Sequence, residues 1–281
     1  MIRLSSFEKY EEPIRLGFQH FFNNAKYKAI EISDFLICQQ GGFLYNDNPC
    51  IGLGEVGINN LQKVNIIENM GSSIIVQDNN YFKNNGYGIF NGTSTFEKGI
   101  ITVSNMYLDI WENELFLRTL AQVIKVANGE HYDWDLDLSK IKDTGKGNFI
   151  RNEIISKLVA YPEFHEIIKI GYNSNLRNAI GHSQYHVIQG GIVLDNYGRN
   201  KYANIKGFTF EEWEKIVVYG WLIFRYLFST LFQITSSFVK LAQTTLTGGI
   251  PILIPQKDNK WSHSYIYPDI TGKIWRFVKT I

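Results

Sequence analysis

The chain has 281 residues, 44% of them hydrophobic and 15% aromatic, with 28 Lys and Arg against 27 Asp and Glu. That length and apolar share suit one large or two modest cores and exclude a disordered chain, and six prolines exclude a Pro-rich linker. A formal net charge of +1 excludes a chain-wide carpet of positive charge, so any nucleic acid must be met at a local site.

Charges at Arg3, Glu8, Lys9 and Glu11 stand where a secretory apolar region belongs, so no signal peptide is expected and the expected location is the cytoplasm. Pro13 suits the first turn of a helix whose apolar face is Ile14, Phe18, Phe21 and Phe22. Residues 27–40 are a candidate second helix, ended by Gly41 and Gly42. From there to about Thr95 the chain is rich in Asn and Gly, with a short helix expected around 60–70, a strand at 74–76 and much loop. Cys38 and Cys50 lack companions at metal-ligand spacing and read as buried free thiols. Gly52, Gly54 and Gly57 fit G-x-G-x-x-G, and Asp78 follows at roughly the distance of a dinucleotide-binding fingerprint. Asn46, Asp47, Asn48 and Pro49 stand where a buried strand should precede the glycines, so a Gly-rich loop is the plainer reading.

The character changes near Glu97. Ile100, Val103, Tyr107, Leu115, Leu117, Ala121, Ile124 and Val126 recur at helical spacing, and Gly129 offers a stop. Asp133, Asp135 and Asp137 alternate like the start of a calcium loop, but Leu138 and Thr144 occupy the positions that need Gly and Glu. The remaining histidines, His20, His131, His165, His186 and His263, form no helical metal pair, and no metal or cofactor is expected. Residues 149–160 are helical in pattern until Pro162 breaks them, and helices follow over 164–170 and 176–181. Strand chemistry comes next: residues 185–188 and 192–194 flank Gly190-Gly191, a hairpin signal. Thr209 with Glu212 is a capping box opening a long apolar helix over 210–241.

That helix raises the question of a membrane. Residues 216–228 are apolar except for Arg225, and Gln233 and a Ser/Thr cluster interrupt the run beyond them. A central Arg costs at least ~2.5 kcal/mol in a bilayer, so a core helix that doubles as an oligomer interface is the better account. The tail, 244–281, reads as irregular or strand structure. In it Lys257, Lys260 and Arg276 are interleaved with Trp261 and other aromatics, a pattern that stacks and neutralises single-stranded RNA. Docking of those aromatics on the core is the competing use.

The sharpest signal lies at 176–185: Leu176, Arg177, Asn178, Ala179, Ile180, Gly181, His182, then Ser183, Gln184 and Tyr185. Five helical steps leave Arg177 and His182 about 140° apart, so they converge only if the helix ends between them or a second subunit completes the site. Gly181 is the candidate helix end, and His182 then lies at the carbonyl end, where the dipole favours an imidazolium. Arg supplies a permanent planar fork for phosphate oxygens, and His relays a proton near neutrality. The structural alternative is that Arg177 caps carbonyls or pairs with Glu166 while His182 merely ends a helix. Tyr185 and His186 are second-rank candidates.

Arg, a polar residue, three more and a His at a helix end, followed by a short hairpin, a capped entry and a long helix, resembles the HEPN superfamily over roughly residues 97–241. Such a resemblance implies a mainly α, HEPN-like helical bundle with a small β-hairpin after the motif. Many members are metal-independent ribonucleases of bacterial defence and toxin–antitoxin systems. It implies an RNA substrate, a homodimer whose active site is shared, and an inhibitory or sensor partner protein, with no membrane involved. In such a site the substrate's 2′-OH attacks the adjacent phosphorus, leaving a 2′,3′-cyclic phosphate and a 5′-OH end. His182 is then the proton-transfer group, Arg177 the phosphate clamp and Asn178 an orienting residue. Ser183 and Gln184 precede Tyr185 here, whereas some relatives carry Tyr two positions after the His. The rival reading is a non-catalytic dimerisation, sensor or antitoxin-type module on the same fold. The expected division is a helical and irregular region of unknown role at 1–95, the HEPN-like domain at 96–243 and an extension at 244–281.

Overall fold

The computed structural model describes residues 2–52, 54–76, 95–138, 141, 145–188, 190–198, 203–257, 260–269, 271 and 274–277. In chain order come β1 (Ile2–Arg3), α1 (Leu4–Lys28), α2 (Asp34–Gln40), β2 (Gly42–Tyr45), β3 (Asn48–Ile51), α3 (Gly54–Ser73) and β4 (Ile75–Val76). Next are α4 (Thr95–Glu112), α5 (Glu114–Ala127), α6 (Lys146–Phe149), a π turn (Ile150–Ile155) and a 3-10 turn (Ser156–Leu158). Then follow α7 (Pro162–Gly171), α8 (Ser174–Gly181), β5 (Tyr185–Ile188), β6 (Gly191–Leu194) and β7 (Gly207–Thr209). The last elements are α9 (Phe210–Thr244), β8 (Ile250–Pro255), β9 (Trp261–Pro268) and β10 (Trp275–Arg276). The protein is mainly α with small sheets.

Two compact units are present, each assembled from three stretches of chain. The first comprises Met1–Phe18, Gln62–Asn113 and Tyr161–Arg225. Ile100, Val103, Tyr107 and Trp111 repeat at helical spacing on α4 and are all fully buried, so they form the stripe that this helix turns to the core. Phe18 meets Phe164 edge-on at 4.8 Å, and Trp111 lies 5.0 Å from Tyr172. A Cβ at Gly71 would fall 1.8 Å from the indole nitrogen of buried Trp221, so only glycine lets α3 approach α9 there. The capping box forms as the sequence predicts: the Glu212 carboxylate accepts from the Thr209 N–H at 2.8 Å, and Thr209 Oγ1 accepts from the Glu212 N–H at 3.2 Å. Strand β1 pairs in parallel with β4, and β5–β6–β7 form an antiparallel sheet with Tyr185 opposite Leu194 and Ile188 opposite Gly191.

The second unit comprises Gln19–Leu61, Glu114–Ala160 and Tyr226–Ile281. Helices α2 and α5 pack together, and α5 buries nearly its whole length from Leu115 to Ala127. Strands β2 and β3 form a hairpin whose turn residues, Asn46 and Asp47, both take positive φ. The Tyr132 hydroxyl holds this hairpin at its root, accepting from the Gly42 N–H at 2.9 Å and donating to the Gly42 carbonyl at 3.1 Å. Strands β8, β9 and β10 make a second antiparallel sheet.

Several expectations are corrected by this fold. Pro13 sits well inside α1, which starts at Leu4 and continues past it. The expected helix over 27–40 is split: α1 runs on to Lys28, and α2 begins only at Asp34. The short helix around 60–70 is the later part of α3, which begins at Gly54. The long pattern from Glu97 to Val126 breaks at Asn113 into α4 and α5. Residues 146–158 are helical but pass from α through π to 3-10 geometry. Gly191 lies within β6 opposite Ile188, not in the turn, and a Cβ there would meet the Phe208 carbonyl oxygen at 2.2 Å. Its glycine is demanded by close strand approach, while Gly190, at φ 98°, serves the turn. Cys38 is buried, whereas Cys50 is only half-buried.

The strand that precedes the Gly52–Gly57 glycines is not the buried one that a dinucleotide fingerprint requires. It is β3, the exposed to half-buried edge of a two-stranded antiparallel hairpin. Dinucleotide folds set that strand in a buried parallel sheet. Asp78 lies outside the described residues. Among the described residues, α9 is the helix long and apolar enough to cross a membrane, and 56% of its most apolar window is buried.

Candidate functional site

Helix α8 is short, and its ends explain how it displays the motif. Asn173 caps the start, its side chain accepting from the Leu176 N–H at 3.0 Å, while its own N–H donates to the Tyr107 hydroxyl at 2.8 Å. Burial pushes the Tyr107 phenol well up, so it stays a neutral hydrogen-bonding group. The other end closes with two backbone bonds, Ser183 N–H to the Ile180 carbonyl at 3.0 Å and Gln184 N–H to the Ala179 carbonyl at 2.7 Å. This is a Schellman motif, and its left-handed residue is Ser183, at φ 51°. Gly181, the expected stop, is the last helical residue; a Cβ there would meet only Leu108 at an ordinary 3.6 Å.

Ser183 directly follows His182, which is exposed at the C-cap. A non-glycine residue held left-handed beside a candidate catalytic side chain is stored strain of about 1–2 kcal/mol. Ser183→Gly is therefore expected to stabilise the protein by roughly 0.5–1 kcal/mol, because glycine escapes the Cβ clash but loses more chain entropy on folding. A urea midpoint that rises with an unchanged slope would show it, and a fall would show that the serine side chain contributes more than the strain.

Arg177 points back to α4. One terminal nitrogen is paired with the Glu112 carboxylate, and the other donates to the Asn178 side-chain oxygen at 2.9 Å. Its side chain is 13% exposed, and burial pulls the guanidinium below its ordinary value, although an arginine remains charged in such surroundings. Arg177 Nε is buried with no hydrogen-bond partner. Tyr107 and Glu112, both on α4, thus fix the two ends of the segment from Asn173 to Arg177. Sequence reasoning missed Glu112, which stands 65 positions before Arg177. The alternative partner, Glu166, is engaged instead with Lys169 at 2.8 Å and His165 at 3.6 Å.

Beyond the Schellman turn, Tyr185 is half-buried on β5 and its phenol is pushed up by burial. His186 lies on the exposed face of the same strand, with Nδ1 2.9 Å from the carboxylate of Asp195. Within one chain the motif therefore gives a held guanidinium and an exposed imidazole at the end of the same helix. Lys257, Lys260 and Trp261 gather at the β8–β9 turn, where the Gln256 N–H donates to the Lys260 carbonyl at 2.7 Å. Arg276 pairs opposite Tyr267, six residues along β9 from Trp261 and so about 20 Å away. Trp261 stacks on His131 at 4.0 Å, a docking contact of the kind the competing reading expects. Among the described residues no group of His, Cys, Asp and Glu is arranged to hold a metal ion. Neither a protein-family model nor a curated protein nor a solved structure matches the chain.

Proposed function

We propose that this chain is an endoribonuclease of the HEPN type, with a HEPN-like helical bundle and an active site completed across a homodimer. The observation that carries the reading is the end of α8: His182 is exposed at the cap, one turn beyond an Arg177 whose fork is already oriented by Glu112 and Asn178. A pre-aimed guanidinium costs no reorganisation when charge builds on a phosphorane, and an exposed imidazole can transfer a proton to or from the reacting oxygens. The nucleophile is the substrate's own 2′-OH, so the route asks for no metal and DNA is no substrate. The products carry a 2′,3′-cyclic phosphate and a 5′-OH. Defence or toxin action, in a cytoplasmic setting and under control of a partner protein, fits such an activity.

The non-catalytic module remains the second reading, favoured by the 13% exposure of Arg177 and its pairing with Glu112. RNA cleavage by the purified protein, with a chelator present, separates the two. His182→Ala is expected to lose about 10²–10⁴ in rate, the usual worth of an acid–base group, and Arg177→Ala to be strongly impaired. Wild type and both variants cleaving alike, or none cleaving, would leave the module as the better account.

A further inference from the structure

In-line attack by a 2′-OH moves two protons, one off the nucleophile and one onto the leaving oxygen, and within one chain the motif names a single histidine. A second imidazole stands four residues on. Nδ1 of His186 lies 2.9 Å from the Asp195 carboxylate, within ion-pair reach; that oxygen favours a proton on Nδ1, and Nε2 is then the basic nitrogen. Asp195 is itself held, since its N–H donates to the Gln184 carbonyl at 2.8 Å. The N–H of that same Gln184 closes α8 on Ala179. One residue therefore ties the helix end that displays His182 to the carboxylate that orients His186. Four residues reach at most about 14 Å when fully extended, and the turn between the two histidines shortens that span. His186 is 54% exposed, open to a substrate.

We infer that His186, oriented by Asp195, is the general base of this site and His182 its general acid, an assignment that rests on the ribonuclease reading above. His186 Nε2 removes the proton from the 2′-OH, and the 2′-oxygen forms a bond to phosphorus. The bond from phosphorus to the 5′-oxygen breaks, and His182 gives that oxygen its proton. The products are a cyclic phosphate and a 5′-OH, and a proton returned from His186 to water and taken up by His182 resets the pair. Asp195 is a positioning residue: it fixes the tautomer and never meets the substrate.

The test uses an RNA oligonucleotide that the wild-type protein cleaves and its analogue with sulfur bridging at the 5′ position of the cleaved bond. A thiolate leaves without protonation, so the analogue relieves the need for an acid and leaves the need for a base. His182→Ala is expected to be slow on the oxygen substrate and restored on the sulfur one. His186→Ala and His186→Gln are expected to be slower by about 10²–10⁴ on both, with melting temperatures close to wild type. Asp195→Asn should lower kcat about tenfold or more on both with KM unchanged, since a wrong tautomer still binds. Wild-type rates in the His186 variants would reduce the pair to a surface ion pair, and rescue of those variants by sulfur would make His186 the acid; either overturns the assignment. A wild-type protein that cleaves no RNA fails one step earlier and removes the ribonuclease reading, together with the roles built on it.

Discussion

Replacing Glu214 by alanine is expected to destabilise the protein by about 3–5 kcal/mol, the usual consequence of removing one partner from a buried ion pair. Glu214 is 2% exposed on the second turn of α9 and accepts four hydrogen bonds. Oε1 takes the Arg3 backbone N–H at 2.6 Å; Oε2 takes Arg3 Nε at 2.9 Å, the Arg3 terminal nitrogen at 2.6 Å and Ser6 Oγ at 2.6 Å. Truncation takes this acceptor from a partly buried guanidinium, a hydroxyl and a backbone N–H at once. The same Arg3 belongs to β1, whose pairing with β4 is only two residues long, so the contact with Glu214 also anchors the start of the chain to α9. Glu214→Gln keeps the shape and one acceptor and should lose less. Replacing Arg3 and Glu214 together by apolar residues should also cost less than Glu214→Ala, because no charge is then stranded. Urea unfolding at constant slope measures all three, and a loss below about 1 kcal/mol for Glu214→Ala would show that Arg3 finds water as readily as carboxylate.

What could be read in the sequence was local. The Thr209–Glu212 capping box, the 185–194 hairpin and the end of the long pattern at Gly129 each depend on residues within a few positions of one another, and each forms. The motif helix is legible over 176–181 of the 174–181 that form, while its Asn173 cap, equally local, is a signal the sequence reading did not use. The helix ends at Gly181 as expected, while the left-handed residue that closes it is Ser183, two positions on. Nothing local announces Glu112 as the partner of Arg177, or Arg3 as the partner of Glu214 211 positions away, because those pairs exist only once helices pack. Asp195 lies between these cases. With His186 opposite Val193, Asp195 is its diagonal neighbour two residues on, a distance at which cross-strand side chains meet. A hairpin drawn with Ile188 opposite Gly191 places that carboxylate beside the imidazole.

The other large effect concerns pH. Asp34 opens α2, is 1% exposed, and neither of its carboxyl oxygens makes a hydrogen bond. Burial pushes its carboxyl up to about 7, with Glu31 adding to the rise and the nearby Tyr132 backbone N–H opposing it. In the unfolded chain the same carboxyl ionises near pH 4. Between about pH 4 and pH 7 the folded protein therefore holds a proton that the unfolded chain has already lost, and stability falls as pH rises, by up to about 1.4 kcal/mol per pH unit. Below that window both states are protonated and the penalty vanishes; above it both are ionised and the full penalty, about 4 kcal/mol, persists. An asparagine carries no such charge. Asp34→Asn should match or trail the wild type at pH 4, where a neutral acid and a buried amide face similar demands, and exceed it increasingly up to pH 8. Urea unfolding across that range, taken as the difference between variant and wild type so that other titrating groups cancel, isolates this carboxyl. Parallel curves would mean that Asp34 ionises in the fold as it does in water, and that its burial is relieved by solvent reaching the start of α2.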